Sequence, residues 1–342
     1  MIVSLVPLLD ILEEPGTRYL IPIFQRVYSW DRLQCDQLWD DVLRALDQGK
    51  THFAGTIISR PEADDGGDAL MREQGFRRVS LIDGQQRLTT VMLMLIALRD
   101  HWREEGALAQ AAQIDTEYLH VAPGIFKLRS SEADMPTLAH LIDGVGLPAA
   151  DESSQLLLEN HLHFKEKLET SSIDGEAMLE GLHALRVVLV ELEEEDRPQQ
   201  VFESLNAKGR SLSTADLLRN VLLVRYGQEE QERLFDIYWS PIDDAFRRFG
   251  VEQDIYLDAA LNSWLSKNAP GVNAAKRSDL YQAFKIYIAQ NASIALEELL
   301  MSVNAECMAF AANPDAPEAR EHLDWVTDKP KGLISQRRLF GD

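Results

Sequence analysis

The chain reads as an α+β protein, a small α/β domain followed by a mainly helical region, and three observations carry that reading. Short β-branched or apolar runs fall in the first hundred residues, at Arg18 to Phe24, Phe53 to Ser59 and Val79 to Ile82. Helical periods stand between and after them, and Leu88 to Leu98 is almost unbroken apolar. From about Asp115 onward the periodicity is mainly helical, except for an alternating piece at Leu185 to Leu192 suited to return a strand to the first sheet. The expected organisation is an α/β domain over 1–110, completed by the strand near 185–192, a helical region over 111–226 and a helical C-terminal extension over 227–342.

Each element has its own signal. Arg18 to Phe24 is a short strand closed by Pro22. A helix follows near Asp31, with Leu38, Trp39, Val42, Leu43 and Leu46 on one face. Cys35 keeps the same spacing and is expected in the core. Phe53 to Ser59 is the second strand, and Pro61 to Gly75, rich in Gly and Asp, is a turn-rich excursion before the third, which starts at Arg78. Asp83-Gly84 is turn chemistry. The run from Leu88 is too rich in Leu and Met for a strand, so it predicts a buried helix with Asp83 as its N-cap. Pro198 and Gly209 bracket a helix at about Gln199 to Leu205, another helix begins at Ser213, and Ser240-Pro241 starts a third.

Bulk properties set limits on function. A net charge of −22 over 342 residues opposes a surface coated for duplex DNA, so nucleic acid would have to meet a local patch. Residues 151–200 hold 13 acidic and four basic residues, whereas residues 1–100 hold 15 and 11, which marks the acidity as a solvated helical face away from the motifs. Two cysteines, Cys35 and Cys307, exclude a disulfide framework and a cysteine-based zinc site. His161 and His163 lie in a polar helical stretch and are expected to face solvent. No secretory leader or membrane-length apolar span is visible, so a cytoplasmic protein without membrane contact is expected.

The chemistry concentrates at Asp83-Gly-Gln-Gln-Arg-Leu-Thr-Thr90. Asp83 with Gln86 fits a capping box that binds nothing, but a second Gln, Arg87 and two Thr against an interior helix exceed that need. Helix N-terminal N–H groups with Gly84, Gln85, Gln86, Arg87 and Thr89 suit phosphate oxygens. Asp83 can orient an attacking water or meet a divalent ion carried by a nucleotide. Gln25, Arg26 and Tyr28 are expected to face the same crevice, with Phe24, Tyr28 and Trp30 either as a core cluster or as an aromatic wall. No Walker-type phosphate loop occurs.

Four blocks carry a resemblance: Ile21-Pro-Ile-Phe-Gln-Arg-Val-Tyr-Ser-Trp30, His52-Phe-Ala-Gly-Thr-Ile-Ile58, Ile82-Asp-Gly-Gln-Gln-Arg-Leu-Thr-Thr90, and Val201 to Leu212 with Asp216-Leu-Leu-Arg-Asn220. In this order and rough spacing they resemble the N-terminal region of GmrSD-type modification-dependent restriction endonucleases, a ParB/sulfiredoxin-like family that includes the phage-defence proteins SspE and BrxU. The resemblance implies a nucleotide-hydrolysing sensor module of an anti-phage restriction system that recognises modified DNA, using GTP or ATP with Mg2+. Asp83, Gln86 and Arg87 would be catalytic. Asn206, Lys208 and Gly209 would close over the pocket holding the nucleotide, the alternative being that Asn206 and Gly209 simply end a helix; Asp216 and Asn220 would hold that loop or meet sugar hydroxyls; and Lys127 and Arg129 either touch the DNA backbone or, as the pattern favours, belong to an ordinary surface ion pair. The implied partners are an HNH-type nuclease domain or subunit and, as an option, further copies of the chain. A non-hydrolysing nucleotide-switched DNA-binding adaptor and a nicking nuclease subunit stand as alternatives.

Overall fold

The computed structural model describes residues 1–23, 25–62, 75–144, 149, 154–171, 173–193, 195–196, 201, 213–223, 228–269, 271–291 and 294–327. The chain divides into two compact units, Met1–Ala207 and Lys208–Asp342. Phe24, most of the excursion after Pro61, the helix expected near Gln199 to Leu205 apart from Val201, and Asn206, Lys208 and Gly209 lie outside the described residues.

The first unit is α+β, as the pattern predicts. Its strands are β1 (Ile2–Pro7), β2 (Thr17–Leu20), β3 (His52–Pro61), β4 (Arg77–Asp83), β5 (His120–Ala122), β6 (Ile125–Phe126), β7 (Leu128–Arg129) and β8 (Leu185–Glu191). Six of them form one mixed sheet in the order β1-β8-β3-β4-β2-β7, while β5 and β6 make a small hairpin. The alternating piece at Leu185 does return to the sheet, running parallel to β3 and antiparallel to β1. Strand β1 lies before the first run that the sequence marked.

The helices of this unit are α1 (Leu8–Glu13), α2 (Arg32–Gln48), α3 (Gln85–Glu104), α4 (Leu108–Ile114), α5 (Met135–Asp143), α6 (Gln155–Thr170) and α7 (Gly175–Ala184). A capping box starts α2: the Asp31 carboxylate accepts from Leu33 N at 2.8 Å, and Asp31 N donates to the Gln34 side chain at 2.9 Å. Cys35, Leu38, Trp39 and Val42 then face the core. In α3 every residue from Leu88 to Leu98 is buried, so the helix runs through the centre of the unit. A helix buried all round has to be covered on every side, and here α6, α4 and α7 contribute.

The second unit is helical in its described residues: α8 (Thr214–Leu223), α9 (Gln228–Leu234), α10 (Ser240–Arg247), α11 (Gln253–Asn268), α12 (Leu280–Gln290), α13 (Leu296–Ala312) and α14 (Pro317–Val326). Helix α8 follows Ser213, and α10 starts at Ser240 with proline in its first turn, both as the sequence indicates. Its core gathers Trp239, Phe246, Leu261, Trp264 and Phe284. No helix among the described residues is long and apolar enough to cross a membrane.

Candidate functional site

Strand β4 ends at Asp83, opposite Ile58 of β3, and the chain turns at once into the central helix. The N-cap is Gly84, not Asp83, and no side chain caps the first turn of α3. Two facts require glycine there. Its φ is +90°, and a Cβ would meet Ile57 Cγ1 at 2.7 Å. The expected capping box is therefore absent, and the first-turn N–H groups have no side-chain cap.

The two glutamines do different work from that expected of them. Gln85 donates to Gln25 Oε1 at 3.0 Å, and Gln25 donates in turn to the Ile82 carbonyl at 3.2 Å. Gln86 accepts from Ser29 N at 2.7 Å and donates to the Val27 carbonyl at 3.2 Å. All three amides are buried. They fasten the 25–29 loop onto the start of α3, and the Gln86 amide has both ends committed to backbone.

Arg87 crosses to β3. Its Nη1 donates to the Thr56 carbonyl at 3.0 Å, and the guanidinium lies where a Cβ of Gly55 would be, only 2.6 Å from Nη2. This explains a glycine inside a strand, since a backbone at φ +105° lets the cation approach closely. The sequence carried that signal in Ala54-Gly55-Thr56, yet the block had no assigned role. Burial pushes the Arg87 guanidinium below its usual pKa, with Asp83 and Asp41 pulling the other way.

Asp83 shares this turn. Burial pushes its carboxyl above the ordinary aspartate value, opposed by a hydrogen bond from Gly84 N–H and by the charges of Arg87 and Arg26. Arg26 is the least satisfied member. Its Nε is shielded from solvent and has no hydrogen-bond partner among the described residues. Two cations thus converge on one carboxylate beside an uncapped helix start.

Comparison with known proteins bears directly on this turn. The family profile described as GmrSD restriction endonuclease, N-terminal domain, matches residues 8–223, well over half of the chain. The chain belongs to that family. GmrSD membership ties it to restriction systems and agrees with the four ordered blocks. Among curated proteins nothing matched.

The GmrSD-type turn holds some expected residues and sets others aside. Tyr28 is buried, and its hydroxyl meets Thr90 Oγ1 at 2.8 Å and receives Asn160 Nδ2 at 3.1 Å, while its backbone N donates to Asp134 at 2.7 Å. It is a core residue of the loop anchor, not an open wall for a base, and burial raises its phenol pKa. Trp30 packs partly buried against the same core. Thr89, 1% exposed, is inside the helix packing and does not face open space. Asp134 and Asn160 are anchors that the sequence offered no periodic or motif reason to pair with Tyr28.

The basic pair expected on DNA also divides. Lys127 is buried, and its Nζ donates to the Glu14 carbonyl at 2.7 Å, with burial lowering its pKa. Arg129 is exposed at the end of β7. The two histidines expected in solvent are held inward: His161 Nε2 lies 3.2 Å from Asp100 and His163 Nε2 lies 2.8 Å from Asp36. Acidic partners on neighbouring helices, invisible in a helical period, recruit them. In the second unit Asp216 is bound to Arg219 at 2.6 Å, and Arg219 also meets Asp243 at 3.0 Å. Among the described residues no cluster of three His, Cys, Asp or Glu groups is arranged around a common point for a metal.

Proposed function

We propose that the chain is the nucleotide-dependent sensor module of its restriction system, binding a nucleoside triphosphate at the Asp83 to Arg87 turn and hydrolysing it, with that state coupled to recognition of modified DNA by a nuclease partner. The observation that supports this most is the solvent-shielded, unpartnered Arg26 Nε beside Asp83 and Arg87. An N–H donor shielded from water without an acceptor costs free energy, and an anionic ligand would remove that cost. Backbone N–H groups at Gln85 and Gln86 would take phosphate oxygens, as helix starts do.

In this reading the side chains divide the labour by what is left free. Arg26 and Arg87 neutralise charge on the transferred phosphoryl group. Asp83, with a carboxyl made more basic by burial, holds and deprotonates the attacking water. Gln25, Gln85 and Gln86 are positioning residues that keep Arg26 in place. The lone carboxylate fits a magnesium ion that arrives with the triphosphate, where it would screen charge on the phosphate oxygens. Arg129 remains the one exposed basic residue of the pair assigned to DNA.

One observation favours the non-hydrolysing switch: Gln86 is committed at both ends of its amide and is not free to orient water. Phosphate release separates the two. Purified protein with magnesium is expected to release phosphate from GTP or ATP, and faster with modified DNA present. Stabilisation by nucleotide without release, for all four common ribonucleotides with and without modified DNA, would establish the switch instead.

A further inference from the structure

The second unit holds a cavity of about 930 Å3, walled by α11, the 273–278 segment and α14. That is the scale of small-molecule sites, roughly 300–1,000 Å3. Leu265, Trp325 and Val326 give it an apolar side. Its polar groups are fixed in place. Asn262 Nδ2 donates to His322 Nδ1 at 3.0 Å, which leaves the ring proton on Nε2 when the imidazole is neutral. Burial pushes the His322 pKa down and favours that neutral form.

Arg277 is held from behind. Its Nε donates to Asp258 Oδ2 at 2.6 Å and its Nη2 to the Asp254 carbonyl at 3.2 Å, which leaves the Nη1 edge to the cavity. Asp258 is 1% exposed, and burial pushes its carboxyl up to about 6 even with Arg277 beside it. A buried carboxylate of this kind is a costly way to stabilise a helix pair, and a hydrophobic residue would serve packing better. Its effect here is to aim one guanidinium at the cavity.

We propose that this cavity binds a small anion carrying a planar ring, of the size and chemistry of a nucleoside monophosphate, with the anionic group on Arg277 and the ring against Trp325. The wall's carboxylates, Glu321 and Asp324, belong to α14, whose one lining cation, Arg320, is paired with Asp315 at 3.1 Å, whereas Lys276 and Arg277 belong to the 273–278 segment, so the anionic end is assigned to that segment. His322 Nε2–H and the Asn262 amide oxygen offer a donor and an acceptor to the ring edge. The site lies wholly within the second unit and does not depend on the triphosphate reading.

The test titrates the full chain calorimetrically with AMP, GMP, CMP and UMP, and with inorganic phosphate and adenosine as half-ligands. Two variants accompany it: Trp325→Ala, and the double variant Asp258→Asn with Arg277→Gln, which removes the buried carboxylate and its partner cation together and so keeps the fold. At least one monophosphate is expected to bind more tightly than either half-ligand, with at least a tenfold loss in both variants and no loss in Arg26→Ala. The proposal is overturned by no binding of any monophosphate, by binding that both variants retain, by phosphate alone binding as well, or by loss in Arg26→Ala, which would put the ligand in the first unit.

Discussion

The two ends of the central helix α3 satisfy the arginines packed at them to different degrees. At the C-terminal end Arg99, 2% exposed, donates to Asp100 and Asp115 and to the carbonyls of Leu141 and Ile142, at distances of 2.6–3.0 Å. Burial opposes ionisation of Asp100, but His161 and Arg99 together hold its carboxyl below the ordinary value. At the N-terminal end Arg26 has a solvent-shielded Nε without a partner, and Arg87 has a single carbonyl. One helix therefore carries a finished electrostatic joint and an unfinished one. The first ties the fold together, and the second is where the proposed triphosphate would bind.

Substitutions break this comparison at different points. Arg99→Met takes the buried cation from Asp100 and Asp115, leaving them His161 and Arg103, and takes the donor from the Leu141 and Ile142 carbonyls, so it is expected to cost about 3 kcal/mol in chemical denaturation while leaving nucleotide affinity per folded molecule unchanged. A loss of binding without a loss of stability would reverse the roles of the two ends.

Gln86→Leu removes the amide that spans Ser29 N and Val27 O. The expected cost is about 1–3 kcal/mol, seen as a lower urea midpoint. It should be accompanied by faster hydrogen exchange at Ser29, because the 25–29 loop loses its fastening. Unchanged exchange there would remove Gln86 from the positioning role.

The smallest effect is on pH dependence. Asp83 has a folded-state pKa raised by burial, so the folded protein binds its proton more readily than the unfolded chain does. Stability from this group is highest below the ordinary aspartate value and falls as pH rises through the raised one. Asp83→Asn should flatten that part of the stability curve in the acid range. An unaltered curve would place the shift elsewhere.

Much of this was legible in the sequence, and the exceptions have physical causes. The α3 core, the return strand at Leu185 and the role of Cys35 follow from periodicity, since burial imposes it directly. The Asp83-Gly84 turn was visible, but its cap was assigned to the wrong residue. Aspartate is the commoner N-cap, and only the approach of Ile57 to Gly84 shows that a left-handed glycine is needed. Gln85 and Gln86 read as ligand donors because sequence records polar atoms without their partners, and those partners sit some 57–60 residues away. Lys127, His161 and His163 were misplaced for the same reason. Arg26 differs from these residues, because nothing among the described residues satisfies its Nε.

The most direct measurement is calorimetric binding of a non-hydrolysable triphosphate with magnesium to the wild-type chain and to Arg26→Ala, with thermal midpoints recorded alongside. The account expects the variant to bind about ten- to a hundredfold more weakly, matching a charge-assisted contact of roughly 1.5–3 kcal/mol, with its midpoint almost unmoved. Equal affinities in the two proteins would contradict it.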